Sequence, residues 1–99
     1  MSLGRNYAKR ITSRMKIYSL SISKSVDKAL LKIPHKIKVR IFRKMNDLCE
    51  NPYQGKGLEG KWAGYRSVRV WPYRIIYSVH KKQLTIHIVS IGHRQEVYQ

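Results

Sequence analysis

A chain of 99 residues with 21 Lys and Arg against five Asp and Glu has a formal charge of +16 and a pI near 10.4, and its apolar share of 42% excludes a purely disordered basic tail. That length supports one hydrophobic core and not two. Unbalanced charge of this density repels itself in a folded domain and points to a polyanionic or acidic partner, whereas the absence of any apolar run near ~18 residues excludes a spanning helix.

Residues 1–14, MSLGRNYAKRITSR, are basic, hold no acid and have no hydrophobic core region, so they do not read as a secretory signal. They read as a flexible N-terminal extension ahead of a single domain over residues 15–99, although their composition also suits an organellar transit peptide. KIYSLSIS (16–23) alternates, with Tyr18, Leu20 and Ile22 on one face and Ser19 and Ser21 on the other, which predicts a half-buried strand. In SKSVDKALLKI (23–33), Val26, Ala29, Leu30 and Ile33 recur at helical spacing, with Ser23 or Ser25 available as N-cap. Pro34 ends this helix and can open the next. HKIKVRIFRKMNDLCE (35–50) places Ile37, Ile41, Met45 and Leu48 on one stripe and Lys36, Lys38, Arg40, Arg43 and Lys44 largely elsewhere, so a helical hairpin is expected. The basic side of the second helix reads most simply as a solvated face, with contact to an anion or a partner as the sharper alternative. Cys49, the single cysteine, falls within the apolar pattern and reads as a small buried thiol, in keeping with a reducing cytoplasm.

NPYQGKGLEGKWAGY (51–65) is rich in Gly and marks a loop. Its Lys56 and Lys61 sit where ammonium and backbone groups can meet a phosphate, but the loop lacks the GK[ST] ending and following helix of a Walker A motif. RSVRV (66–70), YRIIYSVH (73–80) and LTIHIVSI (84–91) then read as three strands, and the short connections WP and KKQ make them antiparallel neighbours. Trp-Pro suits a primed two-residue turn poorly, so a wider connection is expected there. Gly92 is expected to turn the backbone after Ile91. The fold class that follows is α+β: an N-terminal strand, a two-helix hairpin and a three-stranded antiparallel meander, with the helices on one face of the sheet.

Strand alternation sends Val68, Val70, Tyr73, Ile75, Tyr77 and Val79 to the core side and Ser67, Arg69, Arg74, Ile76 and Ser78 to the other. Arg69 and Arg74 then share an open face if the hairpin register allows it, and the tail carrying Arg94 leaves the same sheet. Converging arginines make an anion site. Trp62 and Trp71 read as packing residues bracketing the sheet, although aromatic faces can also stack bases, and His87 as a structural residue on the open side. The five acids, Asp27, Asp47, Glu50, Glu59 and Glu96, are scattered, which argues against a two-metal nuclease. His35, His80, His87 and His93 follow no zinc pattern, and no metal or other cofactor is expected. What remains is metal-free chemistry in which cations neutralise a phosphate and a His, Tyr or Lys handles protons. RNA suits it, because the 2′-OH is an internal nucleophile beside the scissile phosphate.

NPYQGKGLEGKWAGYRSVRVWPYRIIYSV followed by IGHRQEVY carries L-x-G-x-W, R-V-x-x-Y-R-I-I-Y and G-H-R-x-E-V-Y in that order. In this the chain resembles the RelE branch of the RelE/ParE toxin superfamily over about residues 15–98. The resemblance implies two helices on an antiparallel sheet whose concave face binds RNA. It implies a toxin of a type II toxin–antitoxin system, a ribosome-dependent endoribonuclease that cuts mRNA in the ribosomal A site and is neutralised by an acidic RelB-like antitoxin. By the same resemblance Arg74 stabilises the phosphate, Arg94 supports the leaving group and Tyr98 orients or stacks the substrate. Arg69 matches the second of two basic positions on the preceding strand, often lysine in relatives; the first reads Ser67 here, with Arg66 beside it. Lys56, Lys61, Arg66 and His93 complete the expected RNA-binding set. Arginine is a poor general base, so proton transfer is left to Lys61, His93 or Tyr98, or to orientation on the ribosome. Two other functions stay open: a ParE-like inhibitor of DNA gyrase without nuclease activity, and an inactive module that binds RNA or antitoxin.

Overall fold

The computed structural model describes residues 17–93. The expected extension over residues 1–14 and the tail residues Arg94 and Tyr98 lie outside the described residues. Strand β1 (Ser19–Ile22) forms within the expected segment; Ile22, and Tyr18 just before the strand, pack against the core, whereas Leu20, expected on the same face, is exposed at the sheet edge. Ser23 caps α1 (Lys24–Leu31), its Oγ accepting the Val26 N–H at 3.3 Å. Val26, Leu30 and Ile33 are buried and Ala29 packs against them. Pro34, which has no N–H to lose, stands at the start of α2 (His35–Glu50), whose Ile41, Met45, Leu48 and Cys49 are buried. Both helical stripes and the buried thiol are as the spacing predicts.

The sheet has five strands in the order β1-β5-β4-β3-β2, formed by β2 (Lys56–Gly57), β3 (Arg66–Val70), β4 (Tyr73–His80) and β5 (Thr85–His93) with β1. The α+β class and the helices-on-one-face layout hold: side chains of both helices share one core with Val70, Ile75, Tyr77, Ile86, Ile88 and Ile91. β1 runs parallel to β5, from Ser19↔Thr85 to Ile22↔Ile88. The segment 51–65, expected as a loop, instead contains 3₁₀ turns at Pro52–Gln54 and Gly60–Trp62, and the edge strand β2, which pairs Lys56 with Ser67 and Gly57 with Arg66. Gly55 makes this docking possible, because a Cβ there would stand 2.5 Å from Tyr77 Oη and 2.7 Å from the Ser67 carbonyl oxygen.

Three local expectations are corrected. The Val70↔Tyr73 pairing leaves only Trp71 and Pro72 outside the ladder, joined by a cis peptide, so the connection is a two-residue turn with proline at its third position and not a wider loop. β5 starts at Thr85, because Leu84 adopts a left-handed φ of 51° within the hairpin turn. Nor does the chain turn at Gly92: β5 runs on to His93, pairing Gly92 with Arg74 and His93 with Tyr73. A register shift between Ile76 and Tyr77 explains the apolar spacing of β5, since Ile76 pairs with Ser90 and Tyr77 with Ile88. The extra residue, Val89, lets Ile88 and Ile91 face the same core although strict alternation would oppose them.

Candidate functional site

The register brings the two expected strand arginines together. Arg69 pairs with Arg74, and Arg74 with Gly92, on the face away from the helices. One rung further along the same face lie Lys56, Ser67, Ile76 and Ser90. Arg69 is exposed and Arg74 half-buried, and Gly92 adds no side chain to their rung. Two guanidiniums directly opposite one another repel, a cost that an anion bound between them removes.

A cleft of about 380 Å³ opens at this place, where β2 ends and leaves the outer part of β3 as an edge. Lys44, Lys56, Arg69 and Arg74 line it together with Gln54 and Ser67, and none of its lining residues is acidic. Lys44 belongs to the basic side of α2 that the sequence reads as solvated surface. It stands beside the buried Met45, and its Nζ donates to Gln54 Oε1 at 3.3 Å. Its place next to Met45, at the flank of the apolar stripe, was the available signal. A second cleft of about 390 Å³ shares Lys56 and Arg74 with the first and adds Leu58, Glu59 and Trp62. The acids look scattered in the sequence, yet Glu59 is thus delivered to the neighbourhood of the arginines by the 3₁₀ turn that follows it.

Two side chains fasten the segment that carries Lys56. Tyr77 Oη, at the bottom of the core, donates to the Pro52 carbonyl at 2.7 Å and accepts the Gly55 N–H at 3.0 Å. Burial pushes the Tyr77 phenol pKa up, partly offset by the Gly55 N–H and the nearby Arg66 guanidinium. Arg66 Nε and Nη2 both donate to the Gly55 carbonyl, at 3.0 and 2.7 Å, and Nη2 also reaches the Tyr53 carbonyl at 3.2 Å, with the guanidinium over the Tyr53 ring. Arg66, expected to bind RNA, therefore uses these donors to hold the loop, and it lies on the face opposite Arg69.

The remaining expected site residues are dispersed. His93 lies on the helix side, edge-on to Tyr73 at 6.1 Å between centroids, in a separate cleft with Lys28 of α1 and Lys32 at its C-cap. Lys61 is exposed on the Gly60–Trp62 turn and lines neither of the two arginine clefts. Trp71, expected to pack, is 52% exposed at the turn tip. His87 is on the open side as expected, its Nδ1 within 3.0 Å of Ser21 Oγ. Among the described residues, no three His, Cys, Asp or Glu side chains are grouped to hold a metal ion, and no helix is long and apolar enough to cross a membrane.

Comparison with known proteins agrees with this architecture. The chain is similar to Toxin RelG of Mycobacterium tuberculosis, with 27% identity over 84 residues that cover 83% of this chain and 97% of the relative. The toxin–antitoxin complex RelBE2 of the same organism superposes with a TM-score of 0.73 at 28% identity, covering 78% of this chain and 98% of that one. The archaeal RelE–RelB complex of Pyrococcus horikoshii gives a TM-score of 0.71 at 29% identity, with 82% and 99% coverage. The family described as ParE toxin of type II toxin–antitoxin system, parDE, matches residues 19–98. The chain therefore belongs to the ParE toxin family and is a RelE-like toxin of a type II toxin–antitoxin system.

Proposed function

We propose that this toxin is a metal-independent endoribonuclease that cleaves mRNA on the ribosome in the cytoplasm. The observation that carries the reading is the Arg69–Arg74 rung, opening with Lys44 and Lys56 into a cleft whose lining holds no acid. Such a site suits a phosphodiester whose negative charge grows during reaction. In the proposed step the RNA 2′-oxygen bonds to phosphorus while the bond from phosphorus to the 5′-oxygen breaks, leaving a 2′,3′-cyclic phosphate and a 5′-hydroxyl. Arg69 and Arg74 stabilise the pentacoordinate phosphate, and Lys56 holds the strand; such preorganised donors are aimed at charge that develops only in the transition state.

Arg94 is assigned to the leaving 5′-oxygen and Tyr98 to the substrate base. His93 supports the first assignment, because it is the last residue of β5 and pairs next to Arg74, and Arg94 follows it directly in the sequence. Lys61 and His93 are assigned peripheral contacts with RNA, and Arg66 acts by fixing the loop beneath Lys56. The proton released by the 2′-OH passes through the Tyr98 hydroxyl or to solvent and the leaving 5′-oxygen takes one up, while the ribosome aligns the strand for attack. The partner that silences the toxin is an acidic, RelB-like antitoxin, a reading supported by the relatives solved as RelB complexes and by the +16 charge.

The name of the matching family favours a second reading, a gyrase inhibitor without nuclease activity. Primer extension on cellular mRNA after brief induction separates the two. Arg74→Ala and Arg94→Ala are each expected to reduce cleavage by about a hundredfold or more while the chain stays folded. Full cleavage by the double variant overturns the nuclease site. Intact mRNA together with inhibited supercoiling establishes the gyrase reading.

A further inference from the structure

The two clefts that share Lys56 and Arg74 differ in chemistry. One is lined by four cations; the other has Leu58 and the Trp62 indole, with Glu59 as the acid in its lining. Its wall is built in advance: Trp62 stands edge-on to Tyr65 at 5.6 Å and 84°, and the Leu58 N–H donates to the Tyr65 carbonyl at 2.9 Å. Its volume of about 390 Å³ leaves room for a planar heterocycle. A group placed there is adjacent to whatever anion Arg74 holds. An apolar, aromatic-walled recess beside a phosphate site is the arrangement that takes an unstacked base, since every base offers a π-face.

We propose that this second cleft is a pocket for one RNA base, with Trp62 as its stacking wall and Glu59 as a selector for bases that carry an exocyclic amino group. The inference rests on the RNA reading above. A carboxylate only accepts hydrogen bonds. Cytosine presents an N4 amino donor where uracil presents the O4 acceptor, so Glu59 attracts the first and repels the second. The same edge chemistry admits adenine through its N6 amino group. The neighbouring cations Lys44, Lys56, Arg69 and Arg74 attract an acidic protein as well as a phosphate, but RNA joins each anion to a planar base of the size this recess takes, which an acidic peptide does not.

The test is titration of the full-length chain with short single-stranded RNAs made only of cytidine or only of uridine, at several salt concentrations. Wild type is expected to bind the cytidine strand on the order of tenfold more tightly. Glu59→Gln should erase that preference, because an amide can donate to O4. Glu59 is exposed, so this variant tests selection without disturbing the core. Trp62→Phe should weaken both strands while leaving the salt slope unchanged, and Arg74→Ala should lower the slope by about one phosphate contact. With Trp71→Phe as background, quenching of the remaining Trp62 fluorescence should follow RNA binding. The pocket is overturned if Glu59→Gln and Trp62→Phe keep wild-type affinity and preference while Arg74→Ala weakens binding. It is equally overturned if those two variants spare RNA and weaken only an acidic protein partner. If Arg74→Ala too leaves RNA binding unchanged, the nuclease reading falls with it.

Discussion

Replacing Tyr77 by Phe removes one oxygen and is expected to cost about 3 kcal/mol of stability. The phenol is fully buried, donates to the Pro52 carbonyl at 2.7 Å and accepts the Gly55 N–H at 3.0 Å. Pro52 and Gly55 are themselves buried, so water does not readily replace the lost partner. A lost hydrogen bond costs about 1 kcal/mol and an orphaned buried polar group about 1–3 kcal/mol, which together give roughly 2–4 kcal/mol. For a domain of this size, each kcal/mol lowers Tm by about 4–8 °C. Thermal melts followed by circular dichroism should therefore show a fall of more than about 10 °C. The effect should also reach the site, because the same two bonds press the 52–55 segment against the sheet immediately before Lys56. RNA affinity should fall even below the melting transition. A Tm change under about 4 °C would refute the reasoning, since it would mean that the loop is not anchored through this phenol.

Arg66→Lys keeps the charge but loses the fork that reaches the Gly55 and Tyr53 carbonyls, so urea denaturation should show a loss of about 1–2 kcal/mol. RNA binding should weaken with an unchanged salt slope, because Arg66 acts through the loop; a slope lowered by about one would instead place Arg66 on a phosphate. Alkaline pH tests the burial of Tyr77 from another direction. Its folded pKa is raised above the ordinary 10.0, so the unfolded chain releases this proton first. The stability due to the neutral buried phenol is fully present below about pH 10 and is lost as pH rises through the folded pKa. Denaturant midpoints measured across that range should fall less steeply for Tyr77→Phe than for wild type; parallel slopes would exclude Tyr77 as the titrating group.

The elements with regular periods were legible in the sequence because one face of each is apolar. Val26, Leu30 and Ile33 at helical spacing, and Ile75 and Tyr77 at strand spacing, reach one core. The same alternation placed Arg69 and Arg74 on the opposite face, and the Arg69↔Arg74 register brings them side by side. What escaped was set by single contacts that carry no period. β2 spans two residues, too few to show alternation, and depends on Gly55 leaving space for Tyr77. The Val89 bulge breaks the spacing of Ile88 and Ile91, and the glycine after Ile91 suggested a turn where the strand in fact continues to His93.

The dispersed basic residues divide by the same logic. Arg66 and Arg69 are three positions apart on one strand and hence on opposite faces, so one clasps the loop while the other joins the cleft. Their residue types are identical; only their phase relative to Val68 and Val70 separates the arginine that holds the loop from the one that lines the cleft. His93 and Arg74 are separated in the same way, since Gly92, and not His93, shares the Arg74 rung. Lys44 and Glu59 required more than phase. Each reaches its cleft from an element outside the three-stranded meander, through the packing of α2 beside β3 and the 3₁₀ turn after β2. A cationic composition therefore predicts an anionic partner in general terms, whereas which cations are grouped in one cleft is decided by strand register and by the loop that Tyr77 and Arg66 hold down.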